Sequence, residues 1–220
     1  MRRQLYAEAF GTFCLVFAGT GAIVINDIAE GVITHVGIAI VFGLVVMAMI
    51  HAVGDISGAH INPAVTVGMW IAGRLPRSSV LPYIFSQIAG GILASSLLRT
   101  LFPSHLNLGA TIPSGAPWQS FILEMICTAI LMVVVLLVSS GSKEQGMLAG
   151  LTVGAVICVE AMFAGPISGA SMNPVRSLAP AVMSCTWTSQ WLYVVAPISG
   201  ALVGVLVFHF LLRHDGMTDS

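Results

Sequence analysis

The sequence predicts an all-α membrane protein with six transmembrane helices and two re-entrant half-helices, arranged as an inverted internal repeat. Three observations support this fold class. Hydrophobic residues make up 57% of the 220 residues and charged residues only 8%, with a mean hydropathy of +0.97, as is typical of an integral membrane protein. Six apolar stretches are long enough to cross a bilayer. One eight-residue motif occurs twice.

The repeated motif reads Ser-Gly-Ala-His-Ile-Asn-Pro-Ala at 57–64 and Ser-Gly-Ala-Ser-Met-Asn-Pro-Val at 168–175. Asn is a favoured helix N-cap and Pro is favoured at the first helical position, so each copy predicts a loop that runs into a helix after Asn62 or Asn173. A helix of roughly 10 residues spans about 15 Å, half of a bilayer core. One copy alone would indicate no more than a surface turn, but two copies predict half-helices that reach the membrane midplane.

The six predicted spans lie near residues 4–25, 35–53, 82–102, 119–139, 147–164 and 190–212. A half-helix follows the second and the fifth span, so both halves have the order span, span, half-helix, span. Because three spans per half is an odd number, the second half is inverted relative to the first. We expect one channel domain over 1–220, with a first repeat at 4–102, a connecting loop at 103–118 and an inverted second repeat at 119–212.

The basic residues predict the orientation. With the N-terminus inside, the residues on the inner side are Arg2, Arg3, Arg74, Arg77, Lys143 and Arg213. Arg99 and Arg176 fall on or toward the outer side, so the distribution favours both termini in the cytoplasm. No targeting extension precedes the first span, which favours a prokaryotic inner membrane.

Composition argues against several other classes of protein. The net charge is −1 and there is no basic run, which gives no reason to expect a nucleic-acid partner. The four cysteines, Cys14, Cys127, Cys158 and Cys185, show no CxxC spacing and are expected to be free thiols. No metal-ligand or nucleophile constellation is present, so we expect no enzyme, no metal and no cofactor.

Two carboxylates occupy matching places in the two halves. Glu8 and Glu124 are each followed four residues later by a threonine, Thr12 and Thr128. A carboxylate in a membrane span is costly, and we expect these two to accept hydrogen bonds from the loop backbone, which lipid cannot satisfy. Glu160 has no such counterpart, and the sequence leaves open whether it faces a pore, a neighbouring subunit or a loop.

Two half-helices that meet at their N-termini predict a pore. Each N-terminus is equivalent to roughly +0.5 charge, which repels cations. Asn62 and Asn173 cap the helices through their side-chain oxygens, which leaves each NH₂ group free to donate to a passing water and to interrupt a proton wire. The loop carbonyls expected to line the pore are those of Gly58, Ala59, His60, Ile61, Gly169, Ser171 and Met172. Such a path suits a small neutral solute.

The two Asn-Pro boxes with their Ser-Gly-Ala lead-ins resemble the aquaporin, or major intrinsic protein, family over about residues 4–212. The resemblance implies a homotetramer in membrane lipid with a pore in each subunit. It implies the same buttressing role for the two repeated carboxylates. Arg176, three residues after Asn173, matches the family's filter arginine, and the resemblance puts Phe42, Ala161 and Ala170 around the same selectivity filter.

Details of these motifs resemble the nodulin-26-like branch, with bacterial members the closest. The segments at 163–174 and 191–194 carry this likeness, and Val175 replaces the usual alanine of the second box, a variation that the branch tolerates. Ala161 stands where strictly water-selective members have histidine. Ser177 follows the arginine where glycerol facilitators typically have aspartate. The resemblance implies passage of water together with glycerol, urea or neutral metalloid hydroxides such as arsenite and boric acid.

We therefore expect a passive channel for water and small uncharged solutes that excludes ions and protons. A strictly water-selective channel is one alternative. A proton-coupled secondary transporter is another, since it shares inverted repeats and broken helices and would need an ionisable residue such as Glu160. A structural membrane protein that has lost permeability is a third. His60, beside the first asparagine, has either a packing role or a gating role.

Overall fold

The structure is a computed structural model, and it describes residues 1–142 and 146–213. Its helices are α1 (Arg2–Ile28), α2 (Thr34–Ser57), α3 (Pro63–Ile71), α4 (Arg77–Leu101), α5 (Pro117–Val138), α6 (Ala149–Ser168), α7 (Pro174–Ser184) and α8 (Leu192–Arg213). Lys143, which the sequence assigned to the inner side, lies outside the described residues.

Among the residues that the structure describes, six helices are long and apolar enough to cross a membrane, namely α1, α2, α4, α5, α6 and α8. The two short helices, α3 and α7, have 9 and 11 residues and follow the second and fifth span. The predicted all-α fold with six spans and two half-helices is therefore confirmed. The half-helices begin at Pro63 and Pro174, directly after the two asparagines, as the N-cap preference predicts.

The asparagine caps have the expected local geometry. Both residues have extended backbone angles, and each side-chain oxygen accepts backbone N–H groups of its own helix. Asn62 Oδ1 accepts from Ala64 N at 2.8 Å. Asn173 Oδ1 accepts from Val175 N at 3.0 Å and from Arg176 N at 3.3 Å. Each cap thus satisfies N–H groups that would otherwise have no partner at the first turn.

Helix α6 extends beyond its predicted end near residue 164 and runs to Ser168. Pro166 suggests a stop, because proline removes the hydrogen bond to the carbonyl four residues earlier. That carbonyl belongs to Met162, and the His35 ring on α2 lies with Nε2 2.7 Å from it. The helix continues because a side chain of another element replaces the lost donor.

The two halves pack alike and then interlock. In the first half α1 packs against α2 and α4, and in the second half α5 packs against α6 and α8. The halves meet where α2 packs on α6. Each half-helix also packs on the last span of the opposite half, α3 on α8 and α7 on α4. The result is a single bundle in which neither half is complete without the other.

Glycines permit backbone contact at the main helix crossings. A Cβ placed at Gly43 would lie 2.6 Å from the backbone oxygen of Gly154, and a Cβ at Gly154 would lie as close to that of Gly43. A Cβ at Gly200 would lie 2.3 Å from the Met125 oxygen. The α2–α6 and α5–α8 crossings therefore depend on small residues, as close helix packing in membranes does.

Candidate pore

Two cavities lie end to end beside the half-helices. The first, called the central cavity here, has a volume of about 120 Å³ and is lined by Asn62 and Asn173 together with apolar side chains of α1, α2, α5 and α6. The second, called the vestibule, has a volume of about 300 Å³ and lies beneath the 102–116 connection, where Asn107 and Thr111 line it. The first cavity provides a narrow path, and the second provides a wider mouth lined by both polar and apolar residues.

Four residues line both cavities: Phe42, Ala161, Ala170 and Arg176. They are the four residues that the family resemblance places around the selectivity filter, and they are called the four-residue ring below. All four are almost fully buried, at 3% to 7% exposure. The ring thus lies at the junction of the central cavity and the vestibule. Two of its members contribute no more than a methyl group.

Arg176 is held in the ring by two contacts. Its Nη1 donates to the backbone oxygen of Gly109 at 2.8 Å, and its guanidinium carbon lies 4.8 Å from the centre of the Phe42 ring, within the range of a cation–π contact. Gly109 belongs to the connection between α4 and α5. Sequence reasoning did not identify it, because a backbone acceptor leaves no mark on residue type.

The asparagine amides are less free than the sequence analysis expected. Asn62 Nδ2 donates to Met172 O at 2.8 Å, and Asn173 Nδ2 donates to Ile61 O at 2.9 Å. Each amide therefore uses one hydrogen to bind the opposite loop and retains one for a solute. The carbonyls of Ile61 and Met172, which are expected to line the pore, each accept one of these hydrogen bonds and so have a partner within the protein.

Both loops have an unusual backbone. Gly58 and Gly169 have φ values of +87° and +86°, and positive values recur at Ala59, Ile61, Ala170 and Met172. Such conformations cost about 1 to 3 kcal/mol for a non-glycine residue and persist only where the surroundings enforce them. Ile61, being β-branched, is the most strained type. The loops turn their carbonyls out of any regular helical hydrogen-bond pattern, and those of Ile61 and Met172 accept from the asparagine amides instead.

Glu8 supports the first loop. It is fully buried and accepts from Ser57 Oγ at 2.7 Å, from the backbone N–H groups of His60 and Ile61 at 2.9 and 2.7 Å, and from Gln87 Nε2 at 2.8 Å. Four donors meet one carboxylate, which accepts hydrogen bonds in about four directions. No sequence pattern links Gln87 to Glu8.

Glu124 supports the second loop in the same manner. It accepts from Ser168 Oγ at 2.7 Å and from the backbone N–H groups of Ser171 and Met172 at 2.8 and 2.7 Å. A tyrosine completes each support, since Tyr83 OH donates to Ser57 O at 3.0 Å and Tyr193 OH donates to Ser168 O at 2.6 Å.

Sequence reasoning also missed both tyrosines. The chain has three tyrosines, and Tyr83 and Tyr193 each lie in the third span of one half. A comparison of the two halves beyond the Asn-Pro boxes would have paired them.

His60 and Glu160, for which the sequence leaves alternative roles open, have different surroundings. His60 lines the central cavity, with Nδ1 3.2 Å from Thr66 Oγ1 and its ring 5.3 Å from that of Tyr83. Glu160 is 2% exposed and lines neither cavity, and no described residue offers a hydrogen bond to either of its carboxylate oxygens. The histidine is therefore in contact with the path, and the glutamate is buried in the helix bundle away from it.

Comparison with known proteins gives consistent results. The profile of the family described as Major intrinsic protein matches residues 1–208. Aquaporin NIP1-1 of Zea mays is 46% identical over 210 residues, covering 95% of this chain and 74% of the relative. Nodulin-26 of Glycine max is 40% identical over 214 residues, covering 97% and 79%. The solved aquaglyceroporin from Plasmodium falciparum superposes with a TM-score of 0.86 at 25% identity and covers 96% of both chains.

Proposed function

The chain belongs to the major intrinsic protein family and is a channel for water and small neutral solutes, and from this premise we propose that the four-residue ring and the two asparagines select what passes. The observation that carries the proposal is that the ring lies between two cavities and contains one charged group and two alanines. A path of this kind rejects ions because it replaces only part of their hydration shell.

Ion and proton exclusion is assigned to charge at two levels of the path. Arg176 lies at the ring, where a fixed cation opposes other cations. The N-termini of α3 and α7 meet at the central cavity and add positive potential there. One amide hydrogen remains on Asn62 and on Asn173. A water that accepts both must turn its own hydrogens away, which breaks the chain of donors that proton transfer requires.

The solute class follows from the size of the ring. Ala161 and Ala170 contribute only methyl groups to the four-residue ring, so we assign glycerol, urea or neutral metalloid hydroxides to the channel in addition to water. The likeness to an aquaglyceroporin supports this choice over a strictly water-selective channel. A proton-coupled transporter is disfavoured because Glu160, the ionisable residue it would need, lines neither cavity.

The roles of the loops and of the assembly complete the proposal. Glu8 and Glu124 are assigned as buttresses that hold the loop carbonyls toward the path. The chain is an integral membrane protein, with both termini assigned to the cytoplasm and a homotetramer as its assembly. The repeats are assigned to 4–102 and 119–212. The relatives compared are plant proteins and give no support to the expected prokaryotic inner membrane.

Stopped-flow light scattering on proteoliposomes tests the solute assignment. We expect rapid shrinkage in an impermeant osmolyte, and re-swelling in glycerol and in boric acid. Ala161→His should reduce glycerol flux by roughly tenfold and leave water flux unchanged, because the imidazole narrows the opening within the four-residue ring. Ala161→Ser is the matched control and should retain both fluxes. Rapid shrinkage without re-swelling would favour the water-selective alternative, and an equal loss of both fluxes in Ala161→His would remove Ala161 from the ring.

A further inference from the structure

We propose that Gly19 on α1 sets the width of the four-residue ring by allowing the phenyl group of Phe42 to lie directly against the α1 backbone. This inference rests on the proposed function of that ring. Gly19 lines neither cavity, and no motif in the sequence singles it out. Its contribution is the absence of a side chain at a position directly behind a pore-lining aromatic residue.

The contact with Phe42 is very close. A Cβ built at Gly19 would lie 2.2, 2.5 and 2.6 Å from three ring carbons of Phe42. Carbon atoms in ordinary contact are about 3.5 to 4.0 Å apart, so a methyl group there would require the ring to move by more than ~1 Å. The phenyl group of Phe42 would therefore have to move to a place that its neighbours leave open.

Two directions are closed to Phe42. Arg176 lies on one side, with its guanidinium carbon 4.8 Å from the ring centre, and it is fixed by its bond to Gly109. The helix that carries Phe42 cannot withdraw, because the next residue, Gly43, is already in backbone contact with Gly154 on α6. Free space next to Phe42 is provided by the two cavities, which Phe42 lines together with Ala161 and Ala170. A methyl at position 19 therefore pushes the aromatic ring into the path.

The adjacent residue of α1 holds the other wall. A Cβ at Gly109 would lie 2.9 Å from Thr20 Cβ and 3.1 Å from Thr20 O, so the segment that fixes Arg176 rests on α1 beside Gly19. One turn of α1 thus fixes the positions of both Phe42 and Arg176. We infer that this turn determines the distance between the aromatic and the cationic wall.

The test compares Gly19→Ala with Gly21→Ala in proteoliposomes. At Gly21, in the same helix, a Cβ would meet one atom of Leu98 at 3.4 Å, so its replacement is the matched control. We expect Gly19→Ala to lower glycerol permeability by about tenfold and to keep water permeability within about twofold, because the larger solute is more sensitive to pore width. Gly21→Ala should keep both. Thermal unfolding of the purified variants in detergent verifies that both are folded.

A double variant separates pore width from loss of fold. Phe42→Ala removes the phenyl group and so makes room for the methyl group that Gly19→Ala introduces. Gly19→Ala should therefore have no further effect on glycerol flux in the Phe42→Ala background. A folded Gly19→Ala with wild-type glycerol flux would overturn the inference, as would an equal loss of flux in both backgrounds. If the wild type passes water alone, the solute proposal fails. The width assignment is then tested by water flux, which should fall in Gly19→Ala and not in Gly21→Ala.

Discussion

Glu160 is a buried carboxyl group with no hydrogen-bond partner among the described residues, and it therefore opposes folding. An unsatisfied buried polar group costs about 1 to 3 kcal/mol. We expect Glu160→Met to raise the unfolding temperature of the purified protein by a few degrees, with water and glycerol fluxes unchanged. Differential scanning fluorimetry and proteoliposome assays measure both effects.

The matched control is Glu124→Met, the same substitution at a buried glutamate that has hydrogen-bond partners. That carboxylate accepts three hydrogen bonds from the second loop, so its loss should destabilise the protein. If Glu160→Met abolished solute flux while the protein stayed folded, the residue would be part of the transport mechanism and the proton-coupled alternative would return.

Residue chemistry predicted the helix caps but not the partners across the molecule. The preference of asparagine for the N-cap is local, and both caps form as expected. The bond from Asn62 to Met172 O joins residues far apart in sequence, so no local pattern encodes it. The valine of the second box is accommodated in the same non-local way, since a Cβ at Gly91 on α4 would lie 2.4 Å from Val175 Cγ1.

At the scale of elements, the first re-entrant loop depends on one side chain of α1. Glu8 accepts four hydrogen bonds. In Glu8→Gln, one carboxylate oxygen is replaced by an NH₂ group, which cannot accept hydrogen bonds from these donors. Each hydrogen bond to a charged group contributes roughly 1.5 to 3 kcal/mol to stability. We therefore expect Glu8→Gln to give a lower yield of folded protein and a lower unfolding temperature. The glycerol-to-water flux ratio of the folded fraction should be unchanged. A normally stable variant with altered selectivity would contradict the buttress role.

Hydropathy located the six spans, but three of their ends differ from the prediction by four or five residues: α2 ends at Ser57, α4 begins at Arg77 and α6 ends at Ser168. The sequence predicts that the fifth span ends near residue 164, but α6 continues past Pro166 because the His35 ring lies within hydrogen-bonding distance of the Met162 carbonyl, which this proline leaves without a backbone donor. Helix ends depend on whether free backbone groups find partners. A partner on another helix is invisible to any window of local sequence.

For the whole molecule, the proposed orientation is open to chemical labelling. Of the four cysteines, all within the described residues, Cys185 alone is exposed, and it follows α7 on the face of the 102–116 connection. We expect a membrane-impermeant maleimide to label it in intact cells. In the variant Cys185→Ser/Ser78→Cys, the thiol lies in the first turn of α4 on the opposite face and should react only after permeabilisation. The reverse pattern would invert the orientation.

The topology of the whole molecule was predictable because it rests on counting. Six apolar stretches and two copies of one motif determine the number of crossings and the inversion of the halves. The lateral arrangement was not predictable, because α3 and α7 each pack on a span of the opposite half and hydropathy carries no information about neighbours.

That exchange of half-helices has a consequence for the order of events during synthesis. The first half-helix leaves the ribosome long before α8, the span on which it packs. At about 5 to 20 residues per second, the delay is on the order of ten seconds. During this delay, the nine-residue helix α3 and its strained loop can contact Glu8 and α4, but α8 is not yet present to cover the other side. We therefore expect this segment to remain at the bilayer surface or within the insertion machinery until α8 has been inserted.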